Sequence, residues 1–311
     1  MQASDHAQLT RLGWNDWFAD RFAGLADSGA TPARVVADHG MGCLVQTGDE
    51  HLPAQLHHGL AASARRRDGT ALPAVGDWVV IRRSGRHAVI EAVLERRTAF
   101  RRKAAGPRSH EQVLAANVDI AVVVAGMNPA PNLRRLERVL AMAWASGAQP
   151  LVLLSKADLV GAAADAITAE AERVAAGAPV VALSALTGQG VARVPALIPA
   201  GRTAVLLGPS GVGKSTLVNR LTGGDLMRTA AVRSDGKGRH TTTHRQLVAM
   251  PWGGLLIDTP GLRELQLWVD VQEGDGIARL FTDVDELASR CHFSDCRHAG
   301  EPGCAVQAAI A

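Results

Sequence analysis

Short apolar runs with turn signals between them dominate residues 33–103 of the chain. The runs are rich in β-branched residues, and breaks containing glycine, proline or aspartate separate them. Four such runs predict strands: Arg34–Val36, Cys43–Gln46, Asp77–Ile81 and Ala88–Leu94. Several short strands in so few residues are typical of a small barrel, and we expect an OB-like one.

The pattern changes after this region to apolar runs that alternate with longer helical stretches. Helices are predicted at Asn132–Ser146 and Asp165–Ala176. Strands are predicted at Ile120–Ala125, Pro150–Leu154, Val180–Leu183 and Thr203–Leu207. Repetition of a buried strand and a helix predicts an α/β fold, with a parallel sheet covered by helices on both faces. Two further runs, Thr243–Met250 and Gly254–Ile257, predict a hairpin at the edge of that sheet.

The first 32 residues contain one helical pattern of large apolar side chains. Trp14, Trp17 or Phe18, and Phe22 recur at spacings of three to four residues, which predicts a short helix. We favour an arm that anchors itself on the core of the protein; a helix that binds a partner is the alternative.

The distribution of charge along the chain predicts an anionic partner. The chain has 311 residues and a net charge of only +3, yet residues 60–105 hold eleven lysines and arginines against four acidic residues. We expect this basic segment to bind an anion, with nucleic acid first, although charged runs are usually only solvated faces. Few aromatic residues lie there, so contacts to phosphates are favoured over base stacking.

The same composition argues against a membrane protein. Hydrophobic residues make up 47% and charged residues 20% of the chain, which is typical of globular proteins. The apolar runs are of strand length, and the first residues are polar, unlike a signal peptide. We therefore expect a cytoplasmic protein with no membrane partner.

A phosphate-binding loop follows the predicted strand Thr203–Leu207 and leads into a predicted helix. The loop and the first helical residue are Gly208, Pro209, Ser210, Gly211, Val212, Gly213, Lys214, Ser215 and Thr216. Its glycines let backbone N–H groups face the phosphates, and the helix N-terminus adds a favourable dipole. Lys214 is expected to contact the β- and γ-phosphates, and the Ser215 hydroxyl to bind Mg²⁺.

A base-recognition motif closes the strand Pro150–Leu154. The motif is Ser155, Lys156, Ala157 and Asp158. A carboxylate at a strand end can accept two hydrogen bonds from guanine, whereas adenine leaves it unpaired, so Asp158 predicts selection of guanine nucleotides. The stem of Lys156 can lie over the base. Ser184 and Ala185 follow the next strand, and their backbone N–H groups could meet the guanine O6.

Two further segments predict the response to the γ-phosphate. Asp258 ends an apolar strand 44 residues beyond Lys214, where its carboxylate can hold Mg²⁺ through water; the Gly261 amide can contact the γ-phosphate. The run from Arg233 to Thr243 is rich in glycine and charge, as in a switch segment. We favour Thr242 for the Mg²⁺ shell; the alternative is that these threonines only begin a strand.

The order of these motifs predicts unusual connectivity. In a conventional GTPase the base-recognition motif follows the phosphate loop, whereas here Asp158 precedes Gly208. The nucleotide domain is therefore expected to be circularly permuted, so that the chain continues from Asp258 into the C-terminal segment.

The C-terminal segment contains a cysteine and histidine cluster. Three of the four cysteines, Cys291, Cys296 and Cys304, fall within 14 residues, and His298 lies among them. Three thiolates and one imidazole suit tetrahedral Zn²⁺, and a closed set of four ligands predicts a structural ion. His292 is the alternative nitrogen ligand.

Together these motifs resemble those of the ribosome small-subunit-dependent GTPase family, RsgA, also called YjeQ, over residues 33–311. The resemblance implies an OB-fold, a permuted GTPase core and a zinc domain that dock on the 30S subunit and its 16S rRNA during late assembly. It also implies hydrolysis of GTP to GDP that the ribosome stimulates. The chain departs from the family at Ser155, where asparagine is usual. Many GTPases place a water-orienting glutamine where Leu262 stands, and the family's proposed substitute maps to His240.

The predicted domains are an N-terminal arm over 1–32, the OB-fold over 33–105, the permuted GTPase domain over 106–270 and the zinc domain over 271–311. We expect a monomer. The alternative function is a nucleotide-gated RNA-binding or placeholder module in which hydrolysis is incidental.

Overall fold

The computed structural model describes residues 3–39, 42–61, 72–103, 111–224, 245–258, 286–293, 296, 298 and 301–310. Its N-terminal part is a barrel of five strands: β1 (Thr31–Asp38), β2 (Cys43–Thr47), β3 (Glu50–Leu56), β4 (Trp78–Ser84) and β5 (His87–Val93). β1 pairs with both β2 and β4 and so closes the barrel, while β3 and β5 are its one parallel pair. The OB-like barrel expected from the sequence is confirmed.

One barrel strand, β3, is not predicted from the sequence. β3 alternates between exposed and buried positions and buries only Leu52 and Ala54. Apart from Leu56, its remaining residues are charged or polar or, in the case of Pro53, cannot donate a backbone hydrogen bond, so its apolar signal is weak. Pairing with β2 and β5 on its two sides overrides this local preference.

The N-terminal arm packs on the barrel through aromatic side chains. It consists of helices α1 (Ala3–Arg11) and α2 (Asp16–Ala23). Trp14 and Phe18 are buried and lie 4.6 and 5.8 Å from the ring of Trp78, which is itself fully buried. The structure therefore favours the anchoring arm over a partner-binding helix.

A two-stranded sheet connects the barrel to the second half of the molecule. It is formed by β6 (Ala99–Lys103) and β7 (Glu111–Ala116) in antiparallel register. Residues 104–110, between these two strands, lie outside the described residues.

The central sheet carries five parallel strands in the order β10-β9-β8-β11-β13. The strands are β8 (Ile120–Gly126), β9 (Gln149–Ser155), β10 (Val180–Ala182), β11 (Thr203–Leu207) and β13 (Leu255–Asp258). The described helices among them are α3 (Leu133–Ala145), α4 (Ala164–Val174), α5 (Val194–Leu197) and α6 (Lys214–Thr222). Separate apolar clusters cover the two faces of the sheet, as the α/β prediction requires.

The helix boundaries follow from local chemistry. The side chain of Asn132 accepts a hydrogen bond from the backbone of Arg135 at 3.0 Å and so caps α3. α4 ends two residues before the predicted Ala176, because Ala176 and Gly177 have φ values of 48° and 80°, outside the range of a right-handed helix.

Strand β12 (Arg245–Ala249) forms the predicted hairpin with β13 but does not lie at a sheet edge. Its other side pairs with barrel strand β1, at Ala37 with Gln246 and Asp38 with Arg245. The barrel and the central sheet thus form one continuous sheet of eleven strands. The sequence could not reveal this pairing, since it joins residues about 200 positions apart.

The described C-terminal residues include a last helix, α7 (Ala305–Ile310), directly after Cys304. A search of the described helices for a segment long and apolar enough to span a bilayer finds none.

Candidate functional site

The phosphate loop lies at the carboxyl end of β11, between the strand and α6. Gly208 has a φ of 141°, and a Cβ there would clash with the backbone carbonyl of Val124 on the neighbouring strand β8. Gly211 and Gly213 also have positive φ values, at 79° and 96°. The loop therefore needs glycine at these positions, and its backbone follows the sheet closely before it enters the helix.

The side chain of Lys214 folds back over the start of this loop. Its ammonium group donates hydrogen bonds to the carbonyls of Gly208 and Pro209, both at 2.6 Å. Ser215 is half-buried in the first turn of α6, whereas Ser210 and Thr216 are exposed. The arrangement places a cation, a hydroxyl and a helix N-terminus together at the carboxyl end of β11, which is the chemistry that binds phosphate and Mg²⁺.

Ser155 joins the base-recognition motif to the phosphate loop. It is 3% exposed at the end of β9, and its hydroxyl donates to the carbonyl of Val212 at 2.5 Å, with the Ala125 carbonyl at 3.3 Å. Two strand spacings of about 4.8 Å separate β9 from β11, so this contact spans the sheet between them. The sequence predicts Ser155 as part of the base site; the structure gives its hydroxyl a contact with the phosphate loop.

The rest of the base motif forms a tight turn at the same sheet edge. Lys156 has a left-handed φ of 63°, and Ala157 is buried, with its N–H bonded to the carbonyl of Leu183 at 3.1 Å. These constraints leave the side chain of Asp158 exposed at the turn. A carboxylate so placed is free of the core and can accept hydrogen bonds from a base.

The loop after β10 lies beside this turn. Ser184 is fully buried, and its hydroxyl accepts a hydrogen bond from the backbone of Thr187 at 3.1 Å. Ala185 is half-buried. β10 and β9 are parallel neighbours, with Ala182 beside Leu154, so the two loops emerge at one edge. Ser184 therefore shapes the loop from within, and the backbone of Ala185 is the part available to a base.

The switch residues are only partly described. Asp258 is the last residue of β13, and its backbone pairs with that of Gln246 on β12. His240, Thr242 and Gly261 lie outside the described residues, as does Leu262. Their assigned roles stay predictions from the sequence.

The four predicted metal ligands come together in the C-terminal segment. One ligand atom each from Cys291, Cys296, His298 and Cys304 lies within 4.8 Å of all the others. His292 is exposed, and the group of ligands includes His298 in its place.

The spacing of these atoms fits a tetrahedral ion. The Cys291 and Cys304 sulfurs are 3.9 Å apart, and His298 Nδ1 lies 3.6 and 3.3 Å from them. Zinc bonds of about 2.3 Å to sulfur and 2.0 Å to nitrogen give tetrahedral edges of roughly 3.5–3.8 Å. Three thiolates with one imidazole are also the ligands that zinc prefers, so the residues present fit that ion.

Backbone groups support this cluster. Cys304 directly precedes α7, and its sulfur accepts a hydrogen bond from the backbone of Gln307 at 3.4 Å. The carbonyl of His298 in turn accepts from the Gln307 side chain at 2.9 Å. His298 itself has a φ of 58°, a left-handed conformation that this contact accompanies. The ligand loop and the last helix therefore hold each other in place.

Comparisons with known proteins agree with this geometry. A family model described as RsgA GTPase matches residues 93–268. A protein of Opitutus terrae named small ribosomal subunit biogenesis GTPase RsgA is 48% identical over 97% of this chain and 84% of its own length. A protein of the same name from Streptomyces coelicolor is 47% identical over 99% of this chain and 82% of its own.

Solved structures agree on the architecture. The crystal structure of YjeQ from Thermotoga maritima superposes with a TM-score of 0.66 at 25% identity, covering 90% of this chain and 91% of that one. The structure of YloQ, described as a circularly permuted GTPase, gives a TM-score of 0.61 at 24% identity over 91% and 88% of the two chains. The permuted order of motifs is thus matched by a permuted fold.

Proposed function

The chain belongs to the RsgA GTPase family, and from that premise we propose how its own residues bind GTP, hydrolyse it and engage the small ribosomal subunit. The protein is a GTPase that acts in biogenesis of that subunit. The observation that carries the residue assignment is the contact between Ser155 and Val212, which brings the base motif and the phosphate loop to one site.

In the proposed site, the guanine base lies at the turn of Asp158, whose carboxylate accepts from the N1–H and N2–H₂ groups. The stem of Lys156 covers the base plane, and the backbone at Ala185 faces O6. Because both motifs end at one sheet edge, the phosphates extend from the base toward Gly208–Thr216. An adenine ring would leave Asp158 without donors, which disfavours ATP.

Hydrolysis in this proposal depends on charge stabilisation at the phosphate loop. Lys214 shifts from the loop carbonyls to the β- and γ-phosphates, where its charge offsets the charge that develops in the transition state. Ser215, Thr242 and, through water, Asp258 would hold Mg²⁺, which supplies further charge neutralisation when bound. His240 would orient the attacking water, and the Gly261 amide would contact the γ-phosphate.

We further propose that the ion of the C-terminal cluster is zinc and that it is structural. The support is the tetrahedral spacing of the sulfur and nitrogen atoms and the closed set of four protein ligands. The assembled segment would then form a small domain next to the GTPase core.

The partner in this proposal is the 30S subunit, contacted through its 16S rRNA by a monomer in the cytoplasm. Support comes from the positive balance of residues 60–105, most of which belong to the barrel or follow it. Phosphate contacts from exposed arginines such as Arg86 suit an RNA surface better than base stacking, because the barrel exposes few aromatic rings.

Co-sedimentation tests this proposal. The protein is mixed with purified 30S subunits in the presence of GDP or of a non-hydrolysable GTP analogue, with 50S subunits as the control. We expect stable binding to 30S only, and tighter with the analogue than with GDP. Equal binding to 30S and 50S subunits would contradict a small-subunit partner. The same mixture at several salt concentrations should show binding that weakens steeply with salt.

A further inference from the structure

Strand β12 connects the barrel directly to the strand that carries Asp258. Gln246 on β12 pairs with Asp258 on one side and with Ala37 of barrel strand β1 on the other. The three residues form one rung across the sheet, and two strand spacings of about 4.8 Å separate its ends. The barrel therefore reaches within about 10 Å of the backbone of Asp258.

We call the pairing of β1 with β12, at Ala37–Gln246 and Asp38–Arg245, the junction. An ion pair lies at its second position. The Arg245 guanidinium lies 3.5 Å from a carboxylate oxygen of Asp38, and these side chains are 13% and 36% exposed. Arg245 follows Thr242 by three residues in the sequence. Asp38 on the barrel thus holds the first residue of the strand that leaves the switch segment.

The junction is short, but a common core supports it. The register between β1 and β12 covers two residue pairs, whereas β8 and β9 share seven. Below it, Val36 of β1 and Leu247 of β12 are buried in one apolar cluster, with exposures of 3% and 6%. A closely packed core transmits displacement instead of absorbing it, so a shift of β1 should shift β12.

β1 itself is fixed by the barrel and by the N-terminal arm. Its Arg34 is 1% exposed and donates hydrogen bonds to the backbone carbonyls of Leu12, Gly76 and Asn117. These acceptors belong to the arm, to the turn before β4 and to the residues before β8. We therefore expect β1 to move together with the arm and with the segments before β4 and β8.

We propose that Asp38 is a positioning residue for GTP hydrolysis. Through Arg245 and the rung from Ala37 to Asp258, it connects contacts made by the barrel to β12 and β13, which we call the switch strands. The inference rests on the proposed function, in which the barrel contacts the small subunit. Subunit binding then changes the catalytic rate through β1 and β12, in addition to holding the protein on its target. Coupling of this kind needs two arrangements of one element. Because only two residue pairs join β1 and β12, we expect their pairing to be the element that shifts.

Charge reversal at the junction tests the proposal. The variants are Asp38→Arg, Arg245→Asp and the double exchange, which restores the pair in the opposite sense. The control is Glu95→Arg, which breaks the barrel's ion pair with Arg21 at 2.8 Å, away from β12. For each protein we would measure kcat and KM for GTP with and without saturating 30S subunits, and 30S binding with the non-hydrolysable analogue.

We expect each single reversal to lower the ratio of stimulated to unstimulated kcat by about tenfold, with 30S binding maintained. The double exchange should recover most of the ratio, and Glu95→Arg should retain it. An unchanged ratio in the single variants would overturn the proposal. So would loss of 30S binding in parallel with the ratio, or a double variant no better than the single ones.

Hydrogen exchange of the isolated protein separates this proposal from the proposed function. If 30S subunits do not stimulate the parent protein, the proposed function fails. Hydrogen exchange then still tests whether Asp38 holds strand β12 in place. With the GTP analogue bound, Asp38→Arg should accelerate exchange of the β12 amides about tenfold relative to Glu95→Arg. Equal exchange in the two variants would overturn the role of Asp38.

Discussion

Single buried polar groups determine how the parts of this molecule fit together. Ser155 contacts the phosphate loop from the base motif, and Arg34 contacts three separate segments of backbone. Burial lowers the pKa of Arg34 to about 10, despite the opposing effect of Asp119 and Asp77, so it remains charged at neutral pH. Buried groups of this kind are costly to leave without partners, which makes them sharp tests of the structure.

Replacing Ser155 by alanine should weaken GTP and GDP binding together. The variant leaves the buried Val212 carbonyl without this donor and so disturbs the phosphate loop. We expect the free energy of nucleotide binding to weaken by about 1–3 kcal/mol. Ser155→Asn is the matched control, because its amide can donate to the same carbonyl and should bind more tightly than alanine. Titration calorimetry with both nucleotides measures the effect. Loss of GTP affinity with GDP affinity intact would contradict the assigned contact.

Replacing Arg34 by methionine should destabilise the barrel. The three carbonyl groups lose a common donor, and we expect the free energy of unfolding to fall by about 3 kcal/mol. Arg86→Met is the control, since Arg86 is exposed in the turn between β4 and β5 and should change stability by less than about 0.5 kcal/mol. Urea denaturation followed by tryptophan fluorescence reports both. Equal losses in the two variants would refute the role of Arg34.

Among the helices and strands, those with a clear local hydrophobic periodicity are predicted correctly from the sequence. Asn132 and Ser146 flank α3, and β11 spans the predicted Thr203–Leu207. It missed β3, whose polar residues obscure the alternation, and it placed β12 at an edge that β1 in fact covers. The tether from Ser155 to Val212 was also missed, because it joins residues 57 positions apart through a fold that no local pattern shows.

The C-terminal ligand cluster is an element whose stability should depend on its ion. None of the described residues between 286 and 310 belongs to the apolar clusters of the sheet, so after metal removal with a chelator this segment should become sensitive to protease while nucleotide binding persists. Cys304→Ser should behave in the same way without a chelator. Metal analysis, limited proteolysis and nucleotide titration give three independent readouts. Protease resistance that survives metal loss would contradict a structural role for the ion.

In the whole molecule, the permuted order of motifs puts strands β12 and β13 between the barrel and the C-terminal cysteine segment in connectivity. β12 pairs with the barrel strand β1 and with β13, and along the sequence the chain continues from Asp258 toward the cysteine cluster. In a conventional order, the chain from this strand would continue into the base-recognition half. The permutation therefore puts the strand pair that joins the barrel, β12 with β13, directly before the segment that holds the cysteine cluster in the sequence.

In this account, the small subunit stimulates the GTPase through the barrel and the strands β12 and β13. Single-turnover GTP hydrolysis with and without purified 30S subunits measures that stimulation. We predict slow hydrolysis by the protein alone and at least about tenfold faster hydrolysis with 30S subunits, with no response to 50S subunits and no stimulation of a Lys214→Ala variant. An equal rate with and without 30S subunits, under conditions where the protein is bound to them, would contradict the account and favour a nucleotide-gated placeholder.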